Sequence, residues 1–365
     1  MSTQTIEQLF TKYSEGTCTS QEAAEVESLY DYMVKNESLE EALGKLESNY
    51  SYLLDKEPVY KVYIRKTVAA AAIIATAGVG LLFFLKQQDR KNELAINTHI
   101  SRLVDSGKAI LKLPNGKIIE LNNAADGLLY GFKDGTITKR DGNFLTLSNN
   151  GAAGTLSGEH ELFTPKGGEY HLTLPDGSTV QANAATHLRF DPSERDVEVN
   201  GEAFLVVHKN SGKPFIVTLR NEKVRVLGTR FNVSNYENEQ VKTTVTEGLV
   251  QVETNLGNDV HKLKVSASEQ VVFDQKNVKK YSRIDTLAAV GWKQGLFAFS
   301  QTPIKDALRQ LSRWYNVAVD DSGIPDELRV VAQFRKTEPL PNALKMLNAS
   351  ANLKLEFDGK QIVAK

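Results

Sequence analysis

Apolar residues change their rhythm along this chain, and each rhythm predicts a different element. At the N-terminus the spacing is helical: Ile6, Leu9, Phe10 and Tyr13 stand at i, i+3, i+4 and i+7. "TSQE" comes next as a capping box, with Thr19 as cap and Glu22 reaching back. Behind it Val26, Leu29, Tyr30 and Met33 form a second stripe. "SLEE" repeats the box with Ser38 and Glu41, and Leu39, Ala42, Leu43 and Leu46 form a third stripe. The pattern predicts a short all-α arm over residues 1–55, with a linker at 56–66 after it.

Between 67 and 85 the rhythm disappears, because every position is apolar or small: "TVAAAAIIATAGVGLLFFL". Nineteen residues at a helical rise span about 28 Å, close to the hydrocarbon thickness of a bilayer. A helix satisfies its own backbone and can cross lipid alone. The alternative, a buried helix of a soluble protein, has to be apolar all round over this length. The run therefore predicts a single transmembrane helix. It lies too far from the N-terminus for a signal peptide. Lys56, Lys61, Arg65 and Lys66 precede it, and Lys86, Arg90 and Lys91 come after it. This small excess favours a cytoplasmic N-terminus and a periplasmic C-terminus.

From about residue 96 the period becomes two. Asp-Gly or Asn-Gly pairs start at 115, 126, 134, 141, 150, 176 and 200, between alternating apolar residues, and mark tight turns. In "EYHLTLPDGSTVQA", Tyr170, Leu172 and Leu174 face one way and Val180 and Ala182 return on the same side. "LPNGKIIELNNA" at 113–124 repeats the phrase "LPDGSTVQANAA" at 174–185. With no helical periodicity between about 165 and 280, residues 86–285 read as an all-β domain of stacked hairpins, open or solenoid-like.

Near 291 helical and strand rhythms alternate. Phe297 and Phe299 mark a strand. Thr302 is the expected cap and Pro303 the first residue of a helix carrying Ile304, Ala307, Leu308, Leu311, Trp314 and Tyr315. Leu328, Val330, Ala332 and Phe334 alternate as a strand, and Leu340, Ala343, Leu344 and Leu347 make a second helix. The order β-α-β-β-α-β-β makes residues 290–365 a small α+β domain.

Charge refines this picture. The formal net charge is −1 over 365 residues. Residues 1–55 nevertheless hold eleven acids and three bases, a net −8. Such an arm repels phosphate backbones and suits a basic protein surface. Its stripes Ile6, Leu9, Phe10, Tyr13, Val26, Leu29, Tyr30 and Met33 are the candidate partner-binding residues. The single cysteine, Cys18, leaves the long C-terminal part without any disulfide framework. Neither a phosphate-binding loop nor a dinucleotide fingerprint occurs, and "GTLSGEH" lacks nucleophile-elbow spacing. The six histidines (His99, His160, His171, His187, His208, His261) are scattered and read as structural. No catalytic, metal or cofactor site is expected from the residues themselves.

Three stretches carry a family resemblance: "TPKGGEYHLTLPDGSTVQANAATHLRFDP", "VEVNGEAFLVVHKNSGKPFIV" and "VRVLGTRFNVSNYENEQVKTTVTEGLVQV". They resemble the FecR family of anti-sigma factors, single-span inner-membrane regulators of Gram-negative bacteria. "WKQGLFAFSQTPIKDALRQLSRWYNVAV" is similar to the C-terminal domain of the Bacteroidetes branch, laid out like the short secretin and TonB N-terminal fold. The resemblance implies a relay. An outer-membrane TonB-dependent receptor would engage the periplasmic part through its signalling domain. The 1–55 arm would hold an extracytoplasmic-function sigma factor. It also implies a candidate self-cleavage at Gly228-Thr229 in "VLGTRF", where the Thr hydroxyl attacks the preceding carbonyl and water opens the ester. Read from the residues alone, Gly228 only permits a bulge. The alternative function, an anchored periplasmic carbohydrate- or cell-wall-binding module, needs exposed aromatic platforms, whereas Trp292 and Trp314 stand at core positions of the C-terminal domain.

Overall fold

The computed structural model describes Thr19, Ser20, Ala23 and Ala24 and residues 96–149, 156–210, 212–256, 259–274 and 277–365. The chain divides into units 1–93 and 94–365. In the first, Ala23 N–H donates to Thr19 O at 2.9 Å, the opening bond of a helix that begins at Ser20. The eight candidate partner-binding residues and the apolar run 67–85 lie outside the described residues.

In the second unit, a helix over 96–105 (α1) leads into an 18-stranded sheet. The sheet folds into two layers because one strand, Asp196–Val206, belongs to both. Its first half pairs with His187–Phe190 and, in parallel, with Phe215–Thr218. Its second half pairs with Thr179–Ala182 and Arg230–Asn235. The change of layer falls at Gly201, whose φ is +128°. A Cβ there would stand 2.7 Å from Thr186 Cα, so the position requires glycine. Thr186 Oγ1 stitches the bend, accepting from Glu202 N–H at 3.0 Å and donating to Glu202 O at 3.2 Å. Between the layers lies one apolar core, in which Phe190, Phe215, Phe231 and Phe273 are among the largest fully buried side chains.

A short helix, Leu287–Val290 (α2), and a 3₁₀ turn, Gly291–Gln294, lead to the C-terminal domain. There Leu296–Pro303 pairs with Arg329–Arg335, and a separate three-stranded sheet joins Ala318–Val319, Gln361–Ala364 and Leu355–Phe357. The helices Ile304–Tyr315 (α3) and Leu340–Ala351 (α4) enclose a second core with them. Each helix ends on an Asn in the left-handed region, Asn316 and Asn352.

The expected fold class was a helical arm, a transmembrane helix, a stacked-hairpin or solenoid-like β domain and an α+β domain. It is corrected by this architecture. The described chain is mostly β, with a few short helices, and none of its described helices is long and apolar enough to cross a membrane. The strands do not stack as a solenoid, because distant segments pair: Ile110–Lys112 with His160–Phe163, and Phe144–Asn149 with Tyr170–Thr173 in parallel. Alternation reveals which residues face inward but not which strand lies alongside. Asn200-Gly201 accordingly makes no turn; it is the bend inside the longest strand. Thr302 does not cap α3 either. It pairs with Val330 in the strand, and its hydroxyl accepts from Ser300 N–H at 3.2 Å across a bulge, leaving Pro303 at the cap position.

The repeated phrase builds the same turn twice. Leu113 N–H donates to Lys117 O at 2.9 Å and Leu174 N–H to Ser178 O at 2.8 Å. Asn115 and Asp176 each accept from the backbone N–H two residues on.

Candidate functional site

The C-terminal domain rests on the outer face of the β body along a seam rich in charge. The seam exists because the long strand carries "AFLVV", which breaks the alternation. Ala203 and Leu205 point into the core, so Phe204 and Val206 face outward and need a second cover. Val290 and Trp292 supply that cover and make a small buried cluster with Phe204. The Trp292 indole N–H donates to Asn232 Oδ1 at 3.1 Å, and Lys293 Nζ lies 4.0 Å from the centre of the Phe204 ring.

Around this apolar point the two sides carry opposite charges. Glu169, Glu202 and Glu239 come from the body; Arg309, Arg313 and Lys336 come from the C-terminal domain. Lys336 is almost completely buried, paired with Glu169, and its ammonium lies 3.6 Å from the Trp314 ring centre. Arg313 pairs with Glu239, and its guanidinium lies 3.7 Å from the ring centre of Tyr236. Arg309 Nε stands 3.5 Å from Glu239. Lys242 and Asp306 make one pair of reversed polarity at 3.4 Å. Glu202 takes hydrogen bonds from Asn183 Nδ2 at 2.7 Å and Asn232 Nδ2 at 3.0 Å. The phenol of Tyr236 donates to Ala184 O at 2.8 Å. The backbones meet too: Gly167 N–H donates to Arg313 O at 2.9 Å. Gly167 has φ +74°, and a Cβ there would stand 3.0 Å from Trp314 O.

Burial is the largest single influence on the titration of these groups. It raises the Glu202 carboxyl above its ordinary value, against the hydrogen bonds from Asn232 and Asn183. Burial and then the Glu202 charge push the Tyr236 phenol far up. Burial lowers the Lys336 ammonium, against the pull of Glu169 and Glu202. Burial also disfavours the charged Arg313, but Tyr236, Glu239 and Glu202 outweigh it and hold its pKa above the ordinary value. The arrangement binds and positions two domains; it presents no nucleophile and base in reach of one another.

Gly228 and Thr229 lie in the bend before strand Arg230–Asn235. Thr229 is buried, and its hydroxyl donates to Leu249 O at 2.9 Å. A Cβ on Gly228 would meet Lys209 Cα at 2.9 Å, so close backbone approach requires glycine here. The histidines serve structure where they are buried. His160 is fully buried between Phe132 and Phe190, with Nδ1 2.8 Å from Gly158 O. His187 stacks on Phe163 and sits 2.8 Å from Glu161. Asp176, Ser178 and His208 do meet, but not as a catalytic triad. The Ser178 hydroxyl donates to Asp176 and accepts from the His208 backbone N–H, so no imidazole serves as its base. No cluster of three or more metal-type side chains occurs among the described residues.

In the sequence the seam residues look solvated, because they are single charged positions scattered over a helix (Arg309, Arg313), a strand (Glu202) and connecting segments (Glu169, Glu239, Lys336). The legible signal was the run "AFLVV", which announces a strand covered on both faces.

Comparison with known proteins agrees with this two-part construction. The family model described as FecR protein matches residues 160–251, and the model described as FecR, C-terminal, matches 296–364. Two crystal structures of an anti-sigma factor candidate from Parabacteroides distasonis ATCC 8503, at 1.65 Å and 2.50 Å resolution, are 30% identical to this chain. Each superposes with a TM-score of 0.51, over 56% of this chain and 98% of that one. No curated protein matches the chain.

Proposed function

The chain belongs to the FecR family, and from that premise we propose that it is an anti-sigma factor. Its sigma-factor partner is of the extracytoplasmic-function class, held by the acidic 1–55 arm. Its input is the signalling domain of an outer-membrane TonB-dependent receptor, engaged through the C-terminal part. The single observation carrying this reading is the ordered pair of family matches, 160–251 then 296–364, on a chain whose first 55 residues are net −8. The localisation that belongs to the proposal is the inner membrane, N-terminus cytoplasmic and C-terminus periplasmic. The acidity of residues 1–55 supports the sigma-factor assignment, since a DNA-binding surface is itself basic. The protein transmits by binding, and the one covalent step the proposal admits is scission at Gly228-Thr229.

The test is co-purification from cells. The full chain is expected to bring down an extracytoplasmic-function sigma factor, and a Leu9→Asp/Phe10→Asp/Leu29→Asp chain to lose it. A full chain that retains no sigma factor overturns the assignment. For the scission, denaturing gels compare wild type with Thr229→Ala; a single full-length band in both removes it.

A further inference from the structure

We propose that the seam is a latch in which the β body masks a basic, aromatic face of the C-terminal domain, and that the partner of that face carries carboxylates. The proposal rests on the reading that the C-terminal domain receives the signal.

Three observations carry it. First, each side of the seam owns a complete apolar core, and the cluster buried between them holds only Phe204, Val290 and Trp292. Parting the two sides therefore leaves both folded, since the hydrophobic term scales with apolar area removed from water. Second, the charges are sorted by side. Glu169, Glu202 and Glu239 face Arg309, Arg313 and Lys336, with Lys242 and Asp306 as the one inverted pair. A surface so sorted selects an opposite charge and excludes its own kind. A second copy of the C-terminal domain would set cation against cation. Third, Arg313 and Lys336 are each laid over an aromatic ring, Tyr236 and Trp314 respectively. Lys336 keeps its Trp314 platform when the body leaves, because both belong to the same domain. The uncovered face is then a ready site for an incoming carboxylate, and the body's glutamates act as its internal stand-in.

The chain supplies its own reporter, since its only two tryptophans, Trp292 and Trp314, both line the seam. Collisional quenching of tryptophan emission by acrylamide, in the full chain, reads the latch. Wild type is expected to quench weakly. Glu169→Lys and Lys336→Glu are each expected to raise the quenching constant at least twofold, while far-ultraviolet circular dichroism stays unchanged. The swapped pair Glu169→Lys/Lys336→Glu is expected to return quenching to the wild-type level, which a merely damaged fold would not do. Quenching that stays high in the swap, or low in both single variants, overturns the latch. If either single variant fails to fold, Glu239→Gln read the same way decides, with unchanged quenching counting against the latch. Poly-L-glutamate is the probe for the partner. It is expected to raise wild-type quenching beyond an equal ionic strength of sodium chloride, and to lose that effect in Arg313→Gln. No difference from sodium chloride overturns the carboxylate partner. None of these readouts requires the sigma factor, so failure here and failure of co-purification are separate results.

Discussion

The interior of the β body and the seam beneath the C-terminal domain share one strand, yet they are built on opposite principles. Along Asp196–Val206, Val197, Val199, Ala203 and Leu205 enter a core of aliphatic and phenylalanine side chains. On the other side of the same strand, Glu202 and Phe204 enter a seam where three apolar residues are ringed by ion pairs. Burial of apolar area holds the first region, and charge screening does not weaken it. The second gains part of its hold from charges already stripped of water, so removing one partner leaves the other buried and costly. The difference teaches where this molecule is meant to stay shut and where it is built to part.

The largest expected effect breaks the interior. Phe231→Ala, at a fully buried position, should cost about 3–5 kcal/mol, read as a lower urea midpoint of the β body. Gly201→Ala should come close behind. It puts a side chain against Thr186 and forces φ near +128° on a residue with a Cβ, a strain of about 1–3 kcal/mol before the clash. The matching seam substitution, Gly167→Ala, should lower that midpoint less, by the strain of φ +74° alone at about 1–2 kcal/mol, and should raise tryptophan quenching as well. Equal midpoint losses at Gly201 and Gly167 would erase the distinction between the regions.

A pH series sharpens the comparison inside the body. Glu222 is buried with one weak partner, the Thr243 hydroxyl at 3.4 Å, and burial pushes its carboxyl up to about 7 from 4.5. Its folded form holds the proton more tightly than the unfolded chain does. The associated stability is therefore complete below 4.5 and lost as pH rises through 7, by about 3 kcal/mol. Glu222→Gln should remove that slope and stabilise the chain at pH 8. Glu161 works in reverse: its bond with His187, helped by Lys112 and opposed by burial, lowers it to about 2. Its contribution is present above 4.5 and lost as pH falls through 2. Urea midpoints at pH 3, 5 and 8 check both limbs. The smallest expected effect is Trp292→Phe, which loses the indole bond to Asn232 at about 1 kcal/mol and acts on the seam alone.

How much could be read from the sequence depends on the kind of information each pattern encodes. Alternation at Tyr170, Leu172, Leu174, Val180 and Ala182 gave the buried face correctly, because period two is a local property of a strand. The stripe Ile304, Ala307, Leu308 and Leu311 likewise matches the buried face of α3. Pairing between segments fifty residues apart was not legible, since nothing in "AILKL" names "HELF" as its neighbour. The seam was only half legible. "AFLVV" shows that Phe204 needs a cover, but Lys336, Arg313 and Glu239 become partners only once two separate cores are set side by side.

The shared strand has a mechanical consequence. At Phe204 it is flanked by Gln181 on one side and Asn232 on the other, and four residues earlier it has already passed into the opposite layer. A pull delivered at that point must shear two ladders together instead of peeling one, so the body moves as a stiff lever and yields at its joint before it yields within.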